Sequence, residues 1–167
     1  MIPIFVSSPS DLNETQMESR SLILREMEEQ KFEPISLGRN DYPIDLPLRE
    51  VYVLAKHCAG GIILGFSQFA TNNGIWKEGT QTQSKQSQPI SFPTAWNQLE
   101  AGILFGLKLP LLVFRDKYIS GGIFDPGVAD VFVHTMPGIP LQKEEADGLR
   151  QLFLKWGGKV RECYYAY

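Results

Sequence analysis

Cysteine is nearly absent, with Cys58 and Cys163 the only two in 167 residues. Two thiols cannot build a disulfide framework, and neither stands in a CxxC pair or at metal-ligand spacing from histidine, so structural zinc is excluded and no metal site is expected. Cationic runs are missing as well. Sixteen Lys and Arg against nineteen Asp and Glu leave a net charge of -3, and without clustered cations to neutralise phosphates no nucleic-acid-binding face is expected. Long apolar runs are the third absence. The stretch from Ala101 to Phe114 is broken by Gly106, Lys108 and Pro110 and falls short of the roughly 20 residues a membrane span needs. Met1 to Val6 enters a strand-like pattern with neither a charged leader region nor a small-residue cleavage site. The expectation is a cytoplasmic protein with reduced thiols and no membrane partner.

What is present is a core. Apolar residues make up 43% of the chain, and a chain of this length buries roughly two thirds of its unfolded surface, which argues for one domain over residues 1–167. Ile2 to Val6 reads as a buried strand, Ser8 as a helix cap with Pro9 at the first position, and a helix follows to about Gln30. Its Leu12, Ser19, Ile23, Met27 series marks the core-facing stripe. Phe32 to Leu37 is a second strand, Asn40 to Pro47 a turn-rich connection, and Leu48 to His57 a helix. Gly60 to Phe66 reads as a strand buried on both faces. Thr94 caps a helix through Leu107, Pro110 to Phe114 and Asp130 to His134 are the last strands, and Gln142 to about Trp156 is the final helix.

Unalternating apolar strands separated by helices predict an α/β fold. The expected form is a flavodoxin-like three-layer open sheet of about five mostly parallel strands, order 2-1-3-4-5, with helices on both faces. Residues 69–92 differ in kind, with four Gln, two Asn and only Ile75, Trp76 and Ile90 as larger apolar residues between Ala70 and Ser91. Such a polar insertion reads as a binding loop, a lid or a mobile excursion.

Ligands of open parallel sheets bind at the carboxyl ends of the strands, where the winding direction reverses. That rule selects Ser7 to Asp11, Gly38 to Tyr42, Gly65 to Gln68, Arg115 to Gly122 and the start of the helix after Thr94. Glu100 is the one acid in a helix that is otherwise apolar from Leu99 through Leu107, and a carboxylate amid apolar surface is costly unless hydrogen-bonded or used. Trp96 lies four residues before it on the same helical face, and Asn97 three before. Spacing leaves two readings open, a ligand-facing acid, or one exposed at the helix edge or held in a structural salt bridge.

The segment Trp96 to Phe114, WNQLEAGILFGLKLPLLVF, resembles the part of TIR domains in which a Trp precedes the catalytic glutamate by four positions. It is equally similar to nucleoside 2-deoxyribosyltransferases, with Glu100-Ala101-Gly102 and Leu107-Lys108-Leu109-Pro110 in the matching places. Ile2-Pro3-Ile4-Phe5-Val6-Ser7-Ser8 resembles the first strand and loop of both families, and Cys58 to Ser67 their third strand. The sequence departs from both at Asn97, where one has Cys and the other Thr.

The resemblance implies cleavage of an N-glycosidic bond, as an NAD hydrolase or cyclase of the TIR-like type, or as a nucleoside or nucleotide N-glycosidase or deoxyribosyltransferase. A role in bacterial anti-phage defence follows from the same resemblance, and a third reading is a non-catalytic nucleotide-sensing or protein-interaction module. Glu100 takes the catalytic role, stabilising positive charge on the ribose as the base departs. Ser7, Ser8, Gly65, Phe66, Trp76, Trp96 and Asn97 are the expected substrate-binding residues. No cofactor is expected, NAD or a nucleotide being the substrate, and the expected partners are a nucleotide small molecule, further copies of the chain and an effector protein. Arg39 or Arg115 is expected to meet phosphate. His57 and His134 read as structural or surface residues, Arg115 with Asp116 and Arg39 with Asp41 as solvated pairs, and Tyr164, Tyr165 and Tyr167 as packed back or at an interface.

Overall fold

The structure is a computed structural model that describes residues 1–37, 47–129 and 131–166. The expected loop from Gly38 to Tyr42, with Arg39 and Asp41, lies outside the described residues, as do Asp130 and Tyr167. Strands β1 (Ile2–Ser7), β2 (Phe32–Ile35) and β3 (Gly61–Gly65) alternate with helices α1 (Glu14–Glu29) and α2 (Pro47–Lys56). Four short strands follow, β4 (Phe69–Thr71), β5 (Gly74–Trp76), β6 (Ser84–Gln86) and β7 (Ile90–Phe92). Then come α3 (Ala95–Gly106), β8 (Leu111–Arg115), a 3-10 turn at Gly122–Phe124, β9 (Val133–Thr135) and α4 (Lys143–Tyr165).

The fold is α/β, with one five-stranded, all-parallel sheet in the order β2-β1-β3-β8-β9. The numbering departs from the expected 2-1-3-4-5 at its last two places only because residues 69–92 form four strands of their own outside the sheet, so that β8 and β9 are the expected fourth and fifth strands. The physical cause of the layering is legible in β3, whose five residues are all buried. Its Ile62 and Leu64 point, with Ile4, Val6, Leu112 and Phe114, into a core closed by α1 and α4. Ile63 points the other way, with Phe5, Leu111 and Val113, into a second core closed by α2 and α3. A strand with two buried faces has no position for a polar side chain, which is why its sequence does not alternate.

Strand β2 stops at Ile35 where the sequence reading ran to Leu37, β9 spans Val133–Thr135 where it ran from Asp130 to His134, and three larger differences follow. Helix α1 is capped by Asn13 and not Ser8: the Asn13 carboxamide accepts the Gln16 N–H at 2.9 Å while Gln16 accepts the Asn13 N–H at 3.1 Å, a reciprocal box that the Ser8–Pro9 start lacks. Helix α4 runs nine residues beyond Trp156, through Gly157 and Gly158, to Tyr165. Val160 is buried in the core, and a side chain at Gly157 would crowd Phe32, so this glycine lets the helix lie close to β2. Tyr164 and Tyr165 therefore sit on an exposed last turn, 5.2 Å ring to ring. Residues 69–92 are two antiparallel ladders, β4 with β7 and β5 with β6. Phe69 pairs with Phe92, and Trp76 lies 6.0 Å from Phe92 while its Nε1 donates to Gln86 at 2.6 Å.

His57 is exposed, and His134 is half-buried on β9 against the Phe114 ring at 5.8 Å. Burial pushes the His134 imidazole below its ordinary 6.5. The unfolded chain then binds the proton first, so the stabilisation is complete above pH 6.5 and is lost as pH falls below it toward the folded value. Urea midpoints measured from pH 8 down to pH 5 should fall for the wild type below pH 6.5, and His134→Gln should flatten that slope.

Candidate functional site

The winding direction reverses between β1 and β3, so the carboxyl ends of these two strands flank the crevice. Helix α3 starts at the same edge, capped by the Thr94 hydroxyl on the Asn97 N–H. From its first turn the Asn97 carboxamide donates to Ser7 Oγ at 2.8 Å and to the Leu64 carbonyl at 3.4 Å. Its Oδ1 accepts from Thr94 Oγ1 at 3.2 Å. One amide thus joins β1, β3 and α3. Ser7 and Asn97, each expected to bind substrate, instead bond one another, and each is only 1% exposed, so they present no polar group to a ligand. Ser8, half-buried next to them, donates to the Pro9 carbonyl at 3.2 Å.

Gly65 and Phe66 also turn inward. Phe66 is fully buried in the core shared with α1 and α4, so its ring offers no stacking surface. Gly65 lies under Phe124, whose ring occupies the place a β-carbon would take. The turn carrying Phe124 is lashed down on both sides. Gln98 of α3 donates to the Gly121 carbonyl at 3.0 Å and accepts the Ile123 N–H at 3.1 Å. Arg115 donates through Nη1 to the Ile119 and Phe124 carbonyls, both at 2.9 Å. The guanidinium expected to meet phosphate instead holds a main-chain turn.

Asp116 likewise leaves its expected pair with Arg115. Its Oδ2 accepts the Ser67 N–H at 2.7 Å and Gln16 Nε2 at 3.3 Å, and Gln16 Nε2 also reaches the Ser67 carbonyl at 3.1 Å. The same Gln16 closes the cap of α1, so one side chain couples that helix start to the ends of β3 and β8. Neither Gln16 nor Gln98 was singled out by sequence reasoning. The Asn13-x-x-Gln16 spacing is a capping signal that was available for the first, whereas nothing local marks Gln98.

Glu100 and Trp96 are both half-buried on α3, with Trp96 packed against the α2–α3 core, and Glu100 has an interaction partner. Trp76, 41% exposed, stands on the hairpin arm among Phe92 and Gln86. An open cleft of about 250 Å³ lies between the end of β2 and α2, lined by Leu37, Arg49, Glu50, Val53 and Leu54, and includes none of the expected site residues. Burial raises the Cys58 thiol to about 11, and its Sγ donates to the Leu54 carbonyl at 3.3 Å, a protonated and inert arrangement. Among the described residues no three His, Cys, Asp or Glu side chains converge as a metal-ligand set. Comparison of the chain with family models, curated proteins and solved structures finds no match.

The buried amide bridge makes its own prediction. Asn97→Leu leaves the Ser7 hydroxyl without its partner and removes one of two bonds to the Leu64 carbonyl, which keeps the Phe66 N–H at 3.0 Å, and should lower unfolding free energy by about 1–3 kcal/mol. Ser7→Ala on that background should add little, because the pair is already broken. Urea denaturation of the two single variants and the double variant measures the coupling.

Proposed function

We propose that the chain cleaves an N-glycosidic bond, as an NAD hydrolase or cyclase of the TIR-like type, on a flavodoxin-like sheet with Glu100 as the catalytic carboxylate. The observation that carries this reading is the pairing on α3 of a half-buried acid with a half-buried indole four residues earlier, on the helix that begins at the crevice edge. Elsewhere on that helix the side chains are apolar, amide or absent. A carboxylate so placed stabilises the positive charge that develops on the ribose as a nitrogen base departs, and Trp96 supplies a flat face beside it for the base or nicotinamide. Ser7, Asn97, Gly65 and Phe66 then build the floor of the crevice and do not contact substrate. Ser8 remains at its rim, and Trp76 belongs to the arm.

A nucleoside or nucleotide N-glycosidase or deoxyribosyltransferase uses the same carboxylate, and assay of the substrates separates the two. A specific observation also favours the non-catalytic reading, in which the domain senses a nucleotide or scaffolds an effector: the polar groups at the switch point satisfy each other. A defence role in bacteria belongs to the same proposal and rests on the resemblance, while a cytoplasmic location rests on the sequence reading of thiols, leader and apolar runs.

Release of nicotinamide from NAD and of free base from a nucleoside panel decides among these. The assay is run at low protein concentration and again with the protein concentrated, because members of this group act when assembled. Activity on one substrate class, reduced at least about 100-fold by Glu100→Gln with the melting temperature held within about 2 °C, supports the enzyme. Absence of base release from every substrate, at both concentrations, rejects it.

A further inference from the structure

Two adjacent amides tie the first turns of α3 to the carboxyl edge of the sheet, and they pull in different directions. Asn97 reaches inward to Ser7 and Leu64. Gln98, about 100° further round the helix, reaches sideways to the turn after β8, donating to the Gly121 carbonyl at 3.0 Å and accepting the Ile123 N–H at 3.1 Å. Trp96 and Glu100 stand on the opposite flank, each about 160° from Gln98 and about 40° from one another.

The turn does not need Gln98 to keep its shape. The Asp125 carboxylate accepts the Gly121 N–H at 2.7 Å, the Gly121 carbonyl accepts the Phe124 N–H at 3.3 Å, and Arg115 holds the Ile119 and Phe124 carbonyls from β8. Gly122, in the left-handed region at φ 59°, also makes room, since a β-carbon there would fall on the Gln98 carboxamide. A stiff turn that leaves a place for one carboxamide is a platform, and what Gln98 fastens to it is the helix.

Magnitudes say why that fastening matters. Side-chain tips lie about 5–6 Å from a helix axis, so a roll of about 10° carries a tip about 1 Å. A misplacement of about 1 Å at a reacting group costs on the order of 100-fold in rate. Toward the sheet α3 offers Ala101 and Leu104, aliphatic groups that resist roll by shape alone. Asn97 acts as the pivot, because its bonds run inward. A carboxamide bonded through both its nitrogen and its oxygen to a peptide turn, a quarter-turn round the helix, fixes the rotation.

We infer that Gln98 is a positioning residue for Glu100, setting the rotation of α3 that aims the carboxylate at the scissile ribose. The inference rests on the reading of Glu100 as the catalytic carboxylate, and Gln98 acts through the helix without touching substrate.

Steady-state base release by the full chain tests it, on NAD and on the nucleoside panel, well below the melting temperature of every variant. Gln98→Met, close in volume but without either bond, should lower kcat about 10–100-fold while KM stays within about threefold. Gln98→Glu keeps an acceptor for the Ile123 N–H and loses the donor to Gly121. It should lower kcat less, about 3–10-fold, and decides the matter where Gln98→Met does not fold. The control is Gln16→Met, which removes amide ties at the same sheet edge on the α1 side. It should lower the melting temperature comparably and leave kcat within about threefold. Equal kcat losses in the Gln98 and Gln16 variants, or an unchanged kcat in the Gln98 variants whatever KM does, overturn the inference and leave the Glu100 reading standing. A wild type that releases no base from any substrate overturns both.

Discussion

One buried carboxamide holds the carboxyl edge of the sheet together. Asn97 reaches from the first turn of α3 to the hydroxyl that ends β1 and the carbonyl of Leu64 near the end of β3. A buried polar group of this kind is costly unless every partner is in place, so it fixes the relative position of three elements at the point where the winding reverses. The other ties at this edge extend the same constraint. Gln16 and Asp116 bind the loops after β3 and β8 to the start of α1. On the opposite side Gln98 fastens the turn that carries Phe124 over Gly65. An edge that in related architectures lies open is here floored by amides and capped by a ring.

The layered sheet was legible because burial on two faces demands continuous apolar strands, and Gly61–Gly65 and Leu111–Phe114 write that demand directly into the chain. Helix ends were less legible. Ser8–Pro9 is a sound local start signal, but the reciprocal Asn13–Gln16 cap, further fixed by Gln16's long-range bonds, overrides it. Gly157–Gly158 reads locally as a stop, yet the helix continues because Val160 reaches the core and Gly157 permits contact with Phe32. The 69–92 hairpin was read as loop for a related reason. Its strands have three residues each, too short to show alternation, and the pairing of Phe69 with Phe92 spans 23 positions that no local pattern connects.

Candidate site residues were legible by place and illegible by partner. Spacing put Ser7, Gly65 and Asn97 at the crevice, where they are. It carries no information on what covers them, and the covering groups come from distant positions: Phe124 over Gly65, Asn97 over Ser7. Phe66 fails differently. It follows the last residue of β3, and whether such a ring turns to the crevice or back beneath the sheet depends on the loop beyond it, which Asp116 pulls down through Ser67.

These ties also set the electrostatics that any anionic ligand meets. Arg115 is committed by two 2.9 Å bonds to carbonyls of its own turn, and Asp116 stands beside it at the end of β8. The β3–β8 side of the edge therefore has Arg115 engaged and Asp116 at the rim, with Lys117 exposed beside them over the Tyr118 ring. The Arg115 guanidinium, already bonded, is poorly placed to bind phosphate. The opposite side offers more. Arg49 lines the cleft between β2 and α2, and the first-turn amides of α3 lend partial positive charge beside Trp96 and Glu100. The edge is thus electrostatically uneven, with the β8-side guanidinium committed to its own turn and the α2-side one lining a cleft beside Glu50.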